Sequence, residues 1–330
     1  MAVALIMAKG DQTRNGKAFE YALAEQYSCF LKENGVNLLL VKDSAYDDAK
    51  RHYDDSSFAS RRRFDYCAAL TIDTMVRVEP CLLAVGKPDE CLRIFINKDS
   101  AGEAGDVRDV VFQRVRPSWE IGFSAKNNND AVKHSRLSKI LDFGDSWLGV
   151  PCSKTYWDDV EPIFSYLGEC KGKEWNELGE HKVTKVYLPL LEAFRKELMF
   201  INDNNELIPQ KLIRYLLGTY SFYKIIKDDS HNLVIIKAFN IEGELNKGCG
   251  CAKPQFQTPK LNLPTRIVEF KMKSNSDNTI NMILDGGWEI SFRIHNASTM
   301  VEQSLKFDVR LIGHPPILFS QYLFQDNEVN

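Results

Sequence analysis

The stretch WEIGFSAKNNN, residues 119–129, alternates Glu120, Gly122, Ser124 and Lys126 with Ile121, Phe123 and Ala125. In an extended chain successive side chains point to opposite faces, so the polar set lines one side and the apolar set the other. Such a strand buries an Ile and a Phe behind it and aims one lysine forward. Just before it, DVRDVVFQRV (106–115) shows the same two-residue period, and RPS (116–118) supplies turn chemistry around Pro117. Together they read as a β-hairpin.

Simple antiparallel pairing about Pro117 and Ser118 places Val115 opposite Glu120, Val111 opposite Ser124 and Asp109 opposite Lys126. Cross-strand partners share a face, so a carboxylate and an ammonium are expected side by side. Asp106 differs in parity from Asp109 and is expected at the strand start or turned away. An Asp facing a Lys on a sheet can be an ordinary surface ion pair, worth ~0–1 kcal/mol. It can also be the centre of metal-assisted phosphodiester hydrolysis, in which carboxylates hold a hard, oxygen-preferring cation such as Mg2+ and the lysine positions water or stabilises developing charge.

Working outward, GKAFEYALAEQYSCFLKENG (16–35) carries Phe19, Leu23, Tyr27, Phe30 and Leu31 at helical spacing and stops at Asn34 and Gly35. NLLLVKD (37–43) follows as a short buried strand, and residues 44–76 read as one or two further helices. Residues 151–230 look mostly helical, with VYLPLLEAFRKELMFI and LIPQKLIRYLLGTYSFYKII as the clearest periodic segments, and LVIIKAFNI (233–241) reads as a strand. GCGCAKPQFQTPKLNLPT (248–265) gathers glycines and prolines and reads as a linker. RIVEFKMKS, TINMILDGG, WEISFRIHNA and SLKFDVRLIG then form a small antiparallel β unit. The expected organisation is a core with the hairpin over 1–150, a helical region over 151–247 and a β-rich unit over 266–330.

A chain of 330 residues with 44% hydrophobic and 26% charged residues can bury a sizeable core. A formal charge of -3 argues against a polybasic nucleic-acid binder while leaving room for local basic patches. MAVALIMA (1–8) is too short and lacks the basic flank of a signal peptide, so it reads as a first strand or buried arm, and no run reaches the ~20 apolar residues of a membrane span. The eight cysteines lack framework spacing, which suggests reduced thiols and a cytoplasmic location; Cys249 and Cys251 lack the spacing and second pair of a zinc site.

After the hairpin, NNNDAVKHSRLSK supplies Asn127, Asn128, Lys133, His134, Ser135 and Arg136, which suit phosphate contacts as well as a solvated loop and helix start. WEISFRIHNA (288–297) echoes WEIGFSAK, with Arg293 in place of Ser124 and His295 in place of Lys126. Its nearby carboxylate, Asp285, sits in a turn and no lysine follows, so a second active site is not expected. Arg293, His295 and Asn296 suit base reading or the polar face of a sheet, and Lys306 and Arg310 join them as candidates.

The hairpin resembles that of PD-(D/E)XK nucleases, in which an Asp on one strand faces an acidic-x-Lys pattern on the next. Glu20 resembles the acidic residue many of them carry on the first helix. More specifically, GDVRDVVFQR, WEIGFSAKNNNDAVKHSRLS, DFGDSW, GGWEISFRIHNAST and SLKFDVRLIGHPP together resemble type II restriction endonucleases of the HaeIII family, from residue 15 to about 320. The resemblance implies an α/β restriction-endonuclease-like core, a mixed sheet flanked by helices, and Mg2+-dependent cleavage of double-stranded DNA at GGCC within a restriction-modification system. Either a homodimer with one half-site per subunit or a monomer cutting twice fits such a target.

The chain departs from the general pattern at Ser124, where Glu or Asp is usual, because a hydroxyl is a weaker Mg2+ ligand than a carboxylate. Asp109 and Lys126 therefore rank first. Glu120 and Glu20 follow as sources of a second carboxylate, and Ser124 and Asp106 come last. The remaining alternatives are a structure-specific repair or recombination nuclease and a DNA-binding protein whose nuclease site has decayed.

Overall fold

The computed structural model describes residues 9–85, 91–103, 105–116, 118–128, 131–248, 250 and 252–324. Met1–Ala8, Pro117, Cys249 and Cys251 lie outside the described residues, as do the side chains of Lys133 and His134. In chain order the elements are α1 (Lys9–Glu33), β1 (Leu38–Leu40), α2 (Ser44–Asp54), α3 (Phe58–Leu70), α4 (Ile72–Val78), β2 (Leu92–Ile96), α5 (Asp99–Glu103), β3 (Val110–Arg114), β4 (Trp119–Asn127) and β5 (Ala131–Ser138). There follow α6 (Lys154–Glu169), α7 (Leu188–Asp203), α8 (Ile208–Leu217), β6 (Phe222–Asp228), β7 (Leu233–Phe239), β8 (Ile267–Met272), β9 (Thr279–Leu284), β10 (Glu289–His295), β11 (Ser304–Gly313) and β12 (Ser320–Phe324). The architecture is mixed α/β, and no helix among the described residues is long and apolar enough to cross a membrane.

The chain gathers into two compact units, each drawn from separated segments: 1–129, 219–261 and 317–330 in the first, 130–218 and 262–316 in the second. The first unit holds a mixed seven-stranded sheet in the order β1-β2-β3-β4-β6-β7-β12. Its central strand, β4, pairs antiparallel with β3 and parallel with β6.

The core of this unit follows from α1. Phe19, Leu23, Tyr27 and Leu31 recur every four residues and are fully buried. The Tyr27 ring meets Phe112 of β3 at 5.2 Å and Phe123 of β4 at 5.1 Å, edge to face. The helix ends where Gly35 takes a φ of +77°, with Gly35 N donating to Lys32 O and Val36 N to Leu31 O. Residues 44–78 form three helices rather than the one or two expected. Asp43 caps the first through Ala45 N and Tyr46 N, and Ser57 caps the second through Ser60 N.

Residues 222–228 correct the helical reading of 151–230. Gly218, at φ +85°, ends α8, and the aromatic and β-branched run beyond it becomes β6. Its apolar period had merged with that of the helix in the sequence.

The second unit holds an antiparallel five-stranded sheet, β5-β11-β10-β9-β8. Alternate residues Ile290, Phe292 and Ile294 of β10 and Leu305, Phe307 and Val309 of β11 are fully buried. They pack on α7 through Phe194, whose ring lies 5.4 Å from Phe292 and 4.9 Å from Phe307. β5 corrects the loop-and-helix-start alternative for residues 131–138, and β12 joins the first unit's sheet beside β7.

Candidate active site on the β3–β4 hairpin

β3 and β4 pair with Val111 opposite Gly122, Gln113 opposite Glu120 and Arg114 opposite Trp119. The register is displaced by two residues from the one expected, because the connection spans Val115–Ser118 and Val115 is 71% exposed rather than paired. An even displacement preserves faces. Asp109 therefore comes level with Ser124 instead of Lys126, yet still shares a face with both.

Asp109 is pinned at its backbone. Its N–H donates to Phe123 O (2.7 Å), and its carbonyl accepts from Asn97 N (2.8 Å). Three donors converge on Oδ2: Ala125 N at 2.7 Å, Ser124 Oγ at 3.4 Å and Lys126 Nζ at 3.5 Å. Oδ1 has no hydrogen-bond partner among the described residues. Ser124 is almost fully buried, whereas Asp109 and Lys126 remain partly open to solvent.

The second carboxylate comes from α1. Glu20 is 7% exposed, and Lys17, one turn earlier, donates to its Oε2 at 3.2 Å while pairing with Asp99 at 2.5 Å. Burial, reinforced by the nearby Asp109 charge, pushes the Glu20 carboxyl well above the usual range; Lys17 and Lys126 pull the other way. Burial also disfavours the Lys17 ammonium, but Glu20 and Asp99 outweigh it and leave that pKa raised. Two mutually repelling carboxylates, one nearly dry and one with a free oxygen, suit a small hard cation that keeps several waters. Among the described residues no group of three or more His, Cys, Asp or Glu side chains forms a metal cage, and such a cation does not require one.

Glu120 and Asp106, the other acidic candidates, are held elsewhere. Both bind Arg108: Asp106 through two bonds of 2.8 Å from Nε and Nη2, Glu120 through one of 2.6 Å from Nη1. Glu120 also accepts from Gln113 Nε2 at 2.7 Å. A Cβ at Gly122 would lie 2.4 Å from Arg108 Cδ, so glycine is what lets the arginine cross the hairpin.

The candidate DNA contacts divide in the same way. Asn127 accepts from Lys227 (3.1 Å), and Asn128, at φ +55°, exchanges two 2.7 Å bonds with Asp229. Ser135 is buried against the Tyr215 hydroxyl at 2.9 Å. His295 pairs with Asp308 through Nε2 at 3.0 Å and approaches Asn296 O through Nδ1 at 2.9 Å. Asn296 accepts from Lys182 (3.2 Å) and donates to Ser298 O (2.6 Å). Arg136 is exposed beside Ser304 and Glu302, and Arg293 is exposed without a bonded partner among the described residues.

Lys17, Asp99 and Arg108 were not singled out from the sequence. The signals for them were weak: Lys17 stands one helical turn before Glu20, and Arg108 adjoins Asp109.

A sequence model of the HaeIII restriction endonuclease family matches residues 16–315. The type II restriction enzyme HaeIII of Haemophilus aegyptius is 40% identical over 304 residues, covering 91% of this chain and 94% of that one. No solved structure matches significantly.

Proposed function

Since the chain belongs to the HaeIII restriction endonuclease family and is a type II restriction enzyme, a site-specific endonuclease acting on DNA, we propose that it cleaves duplex DNA at GGCC with Mg2+. The observation that carries the chemical reading is the approach of Lys126 to one oxygen of the Asp109 carboxylate, the other oxygen being open, with the buried Glu20 near enough for both charges to act on it. The seven-stranded sheet with α1 against it is read as a PD-(D/E)XK core, supported by the β3–β4 hairpin and the parallel β6 beside it.

Asp109 and Glu20 would hold the cation, which when bound supplies Lewis-acid stabilisation of the charge developing on the phosphate. Lys126, on the same face, orients the attacking water and donates to the phosphoryl oxygen. The water oxygen loses a proton to solvent and bonds to phosphorus as the bond to the 3′ oxygen breaks; that oxygen takes a proton from solvent, leaving a 5′ phosphate and a 3′ hydroxyl without a covalent enzyme intermediate. Ser124 contributes a hydroxyl to Asp109 and leaves the second charge to Glu20. Asp106 and Glu120 act through Arg108.

Target recognition is assigned to the β-rich part of 266–330, where Arg293, Lys306 and Arg310 are the candidates for base or phosphate contacts, with Arg136 on the neighbouring strand. His295 and Asn296 support that surface. A two-fold target fits a homodimer working in the cytoplasm.

Incubation with linear phage DNA in Mg2+, followed by sequencing of the fragment ends, tests the proposal. Discrete ends sharing GGCC are expected. Another shared word would overturn the target. Cleavage confined to branched DNA would indicate a structure-specific nuclease, and binding without cleavage in Mg2+ or Mn2+ a decayed site.

A further inference from the structure

Arg108 is only 7% exposed, and each of the three nitrogens of its guanidinium fork donates to a carboxylate. Nε and Nη2 bind Asp106 of its own loop, and Nη1 binds Glu120 of β4. The guanidinium carbon lies 4.0 Å from the centre of the Tyr220 ring, and the side-chain stem crosses Gly122. The loop backbone is fixed in the same place. Arg108 N donates to Asp106 Oδ1 at 3.1 Å, and Asn97 Nδ2 donates to Arg108 O at 2.7 Å. Asp109 is the next residue.

A buried charge cluster is a poor device for stability alone, because apolar side chains of similar volume often hold a fold as well. Its distinctive property is direction, since a planar fork fixes two carboxylates on different segments. Here those segments are the loop that presents Asp109 and the strand that presents Lys126. Tyr220 is the second residue after the chain re-enters the first unit, and Thr219 N donates to Gly105 O at 3.0 Å in the same loop.

We propose that Arg108 is a positioning residue for DNA hydrolysis: with Asp106, Glu120 and Tyr220 it sets where the Asp109 carboxylate stands relative to Lys126. This rests on Asp109 being the carboxylate that acts on DNA. The test uses the full-length protein in excess over a target duplex and compares single-turnover cleavage in Mg2+ with duplex affinity in Ca2+.

Arg108→Lys keeps the charge and loses the fork. It is expected to slow cleavage about 10–100-fold, the effect of a misplacement near 1 Å, while affinity stays within about threefold. Tyr220→Leu, at a 43% exposed site, is expected to leave the fold intact and slow cleavage in the same direction, and Tyr220→Phe to restore it. If Arg108→Lys does not fold, the triple variant Asp106→Asn, Arg108→Met, Glu120→Gln removes all three charges together and is expected to be slow.

Wild-type cleavage by Tyr220→Leu together with either Arg108 variant, in the presence of an inactive Asp109→Asn, would overturn the proposal. So would a rate loss matched by an equal loss of affinity. Full activity in Asp109→Asn would instead overturn the reading of Asp109.

Discussion

β4 and β10 both follow from Trp-Glu-Ile, and both bury the tryptophan and the apolar residue at every second position after it. From there they diverge. Trp119 donates to the carboxylate of Glu79 at 3.3 Å, whereas Trp288 donates to the backbone carbonyl of Asn262 at 2.9 Å. β4 lies between an antiparallel and a parallel neighbour and ends with Lys126 facing Asp109, one oxygen of which is open. β10 lies between two antiparallel neighbours and ends at His295, whose Nε2 stands 3.0 Å from the Asp308 carboxylate and whose Nδ1 stands 2.9 Å from Asn296 O. The shared tripeptide fixes strand grammar, meaning which side chains go inward; the neighbouring strand fixes the chemistry.

The most direct way to break this contrast is to disable each strand end in turn. Asp109→Ala and Lys126→Ala are each expected to lower single-turnover cleavage by at least about 10³-fold with the fold retained, because each removes a group that stabilises the transition state. His295→Ala should cost at most about tenfold, through binding. Equal losses at Lys126 and His295, read by rapid-quench kinetics, would erase the distinction between the two strands.

The two tryptophan anchors differ in whether they titrate. Burial pushes the Glu79 carboxyl up to about 7 despite bonds from Tyr223, Asn246 and Trp119. A carboxyl whose folded pKa exceeds its unfolded value contributes stability that is fully present below the ordinary value near 4.5 and lost as pH rises through about 7. The loss is of order 3 kcal/mol at most, because each tenfold difference in proton affinity between the folded and unfolded chain is worth about 1.4 kcal/mol. Glu79→Gln should flatten the fall in urea midpoint between pH 5 and 8, while Trp288, bonded to a carbonyl, adds no such slope. A wild-type midpoint that rises over this range relative to Glu79→Gln would show the sign to be wrong.

Much of this was legible in the sequence because it depends on local period. Phe19, Leu23, Tyr27 and Leu31 declared α1, and alternation declared the hairpin. The faces of Asp109 and Lys126 followed correctly even from a register two residues off, since only odd slips exchange faces. What escaped depends on partners far along the chain. Asn127 and Asn128 gave no sign in the sequence of their partners Lys227 and Asp229, a hundred residues on. His295 likewise gave no sign of Asp308 on the next strand. The Arg108 cluster requires the conformation of an irregular loop, and residue alternation carries no information about that.

Glu20 sharpens the contrast from outside the sheet, since β10 has no counterpart supplied by a helix in the same way among the described residues. Glu20→Gln is expected to raise the Mg2+ concentration for half-maximal cleavage at least about 10-fold, since losing a ligand's charge costs no less than losing a ligand's outer partner. A magnesium titration of initial rates reads this directly. An unchanged titration curve would remove Glu20 from the proposed ligand set and leave Asp109 without a second carboxylate.

The smallest expected effects come from adding one methyl-sized group at matched positions. Gly122 and Ser291 are the fourth residues of the two Trp-Glu-Ile stretches. At Gly122 a Cβ would sit 2.4 Å from Arg108 Cδ and 2.7 Å from its Cβ and Cγ, atoms near the backbone that cannot swing aside as a flexible tip would. Gly122→Ala should therefore destabilise by about 1–3 kcal/mol, as overpacking does, and displace the arginine. Ser291 already carries a Cβ on the half-exposed face of β10, so Ser291→Ala should stay within about 0.5 kcal/mol. Urea denaturation of both variants compares the two strands at one position. Equal stability of the two would mean that Arg108 moves aside without cost, and the close crossing of hairpin and arginine would then no longer distinguish β4 from β10.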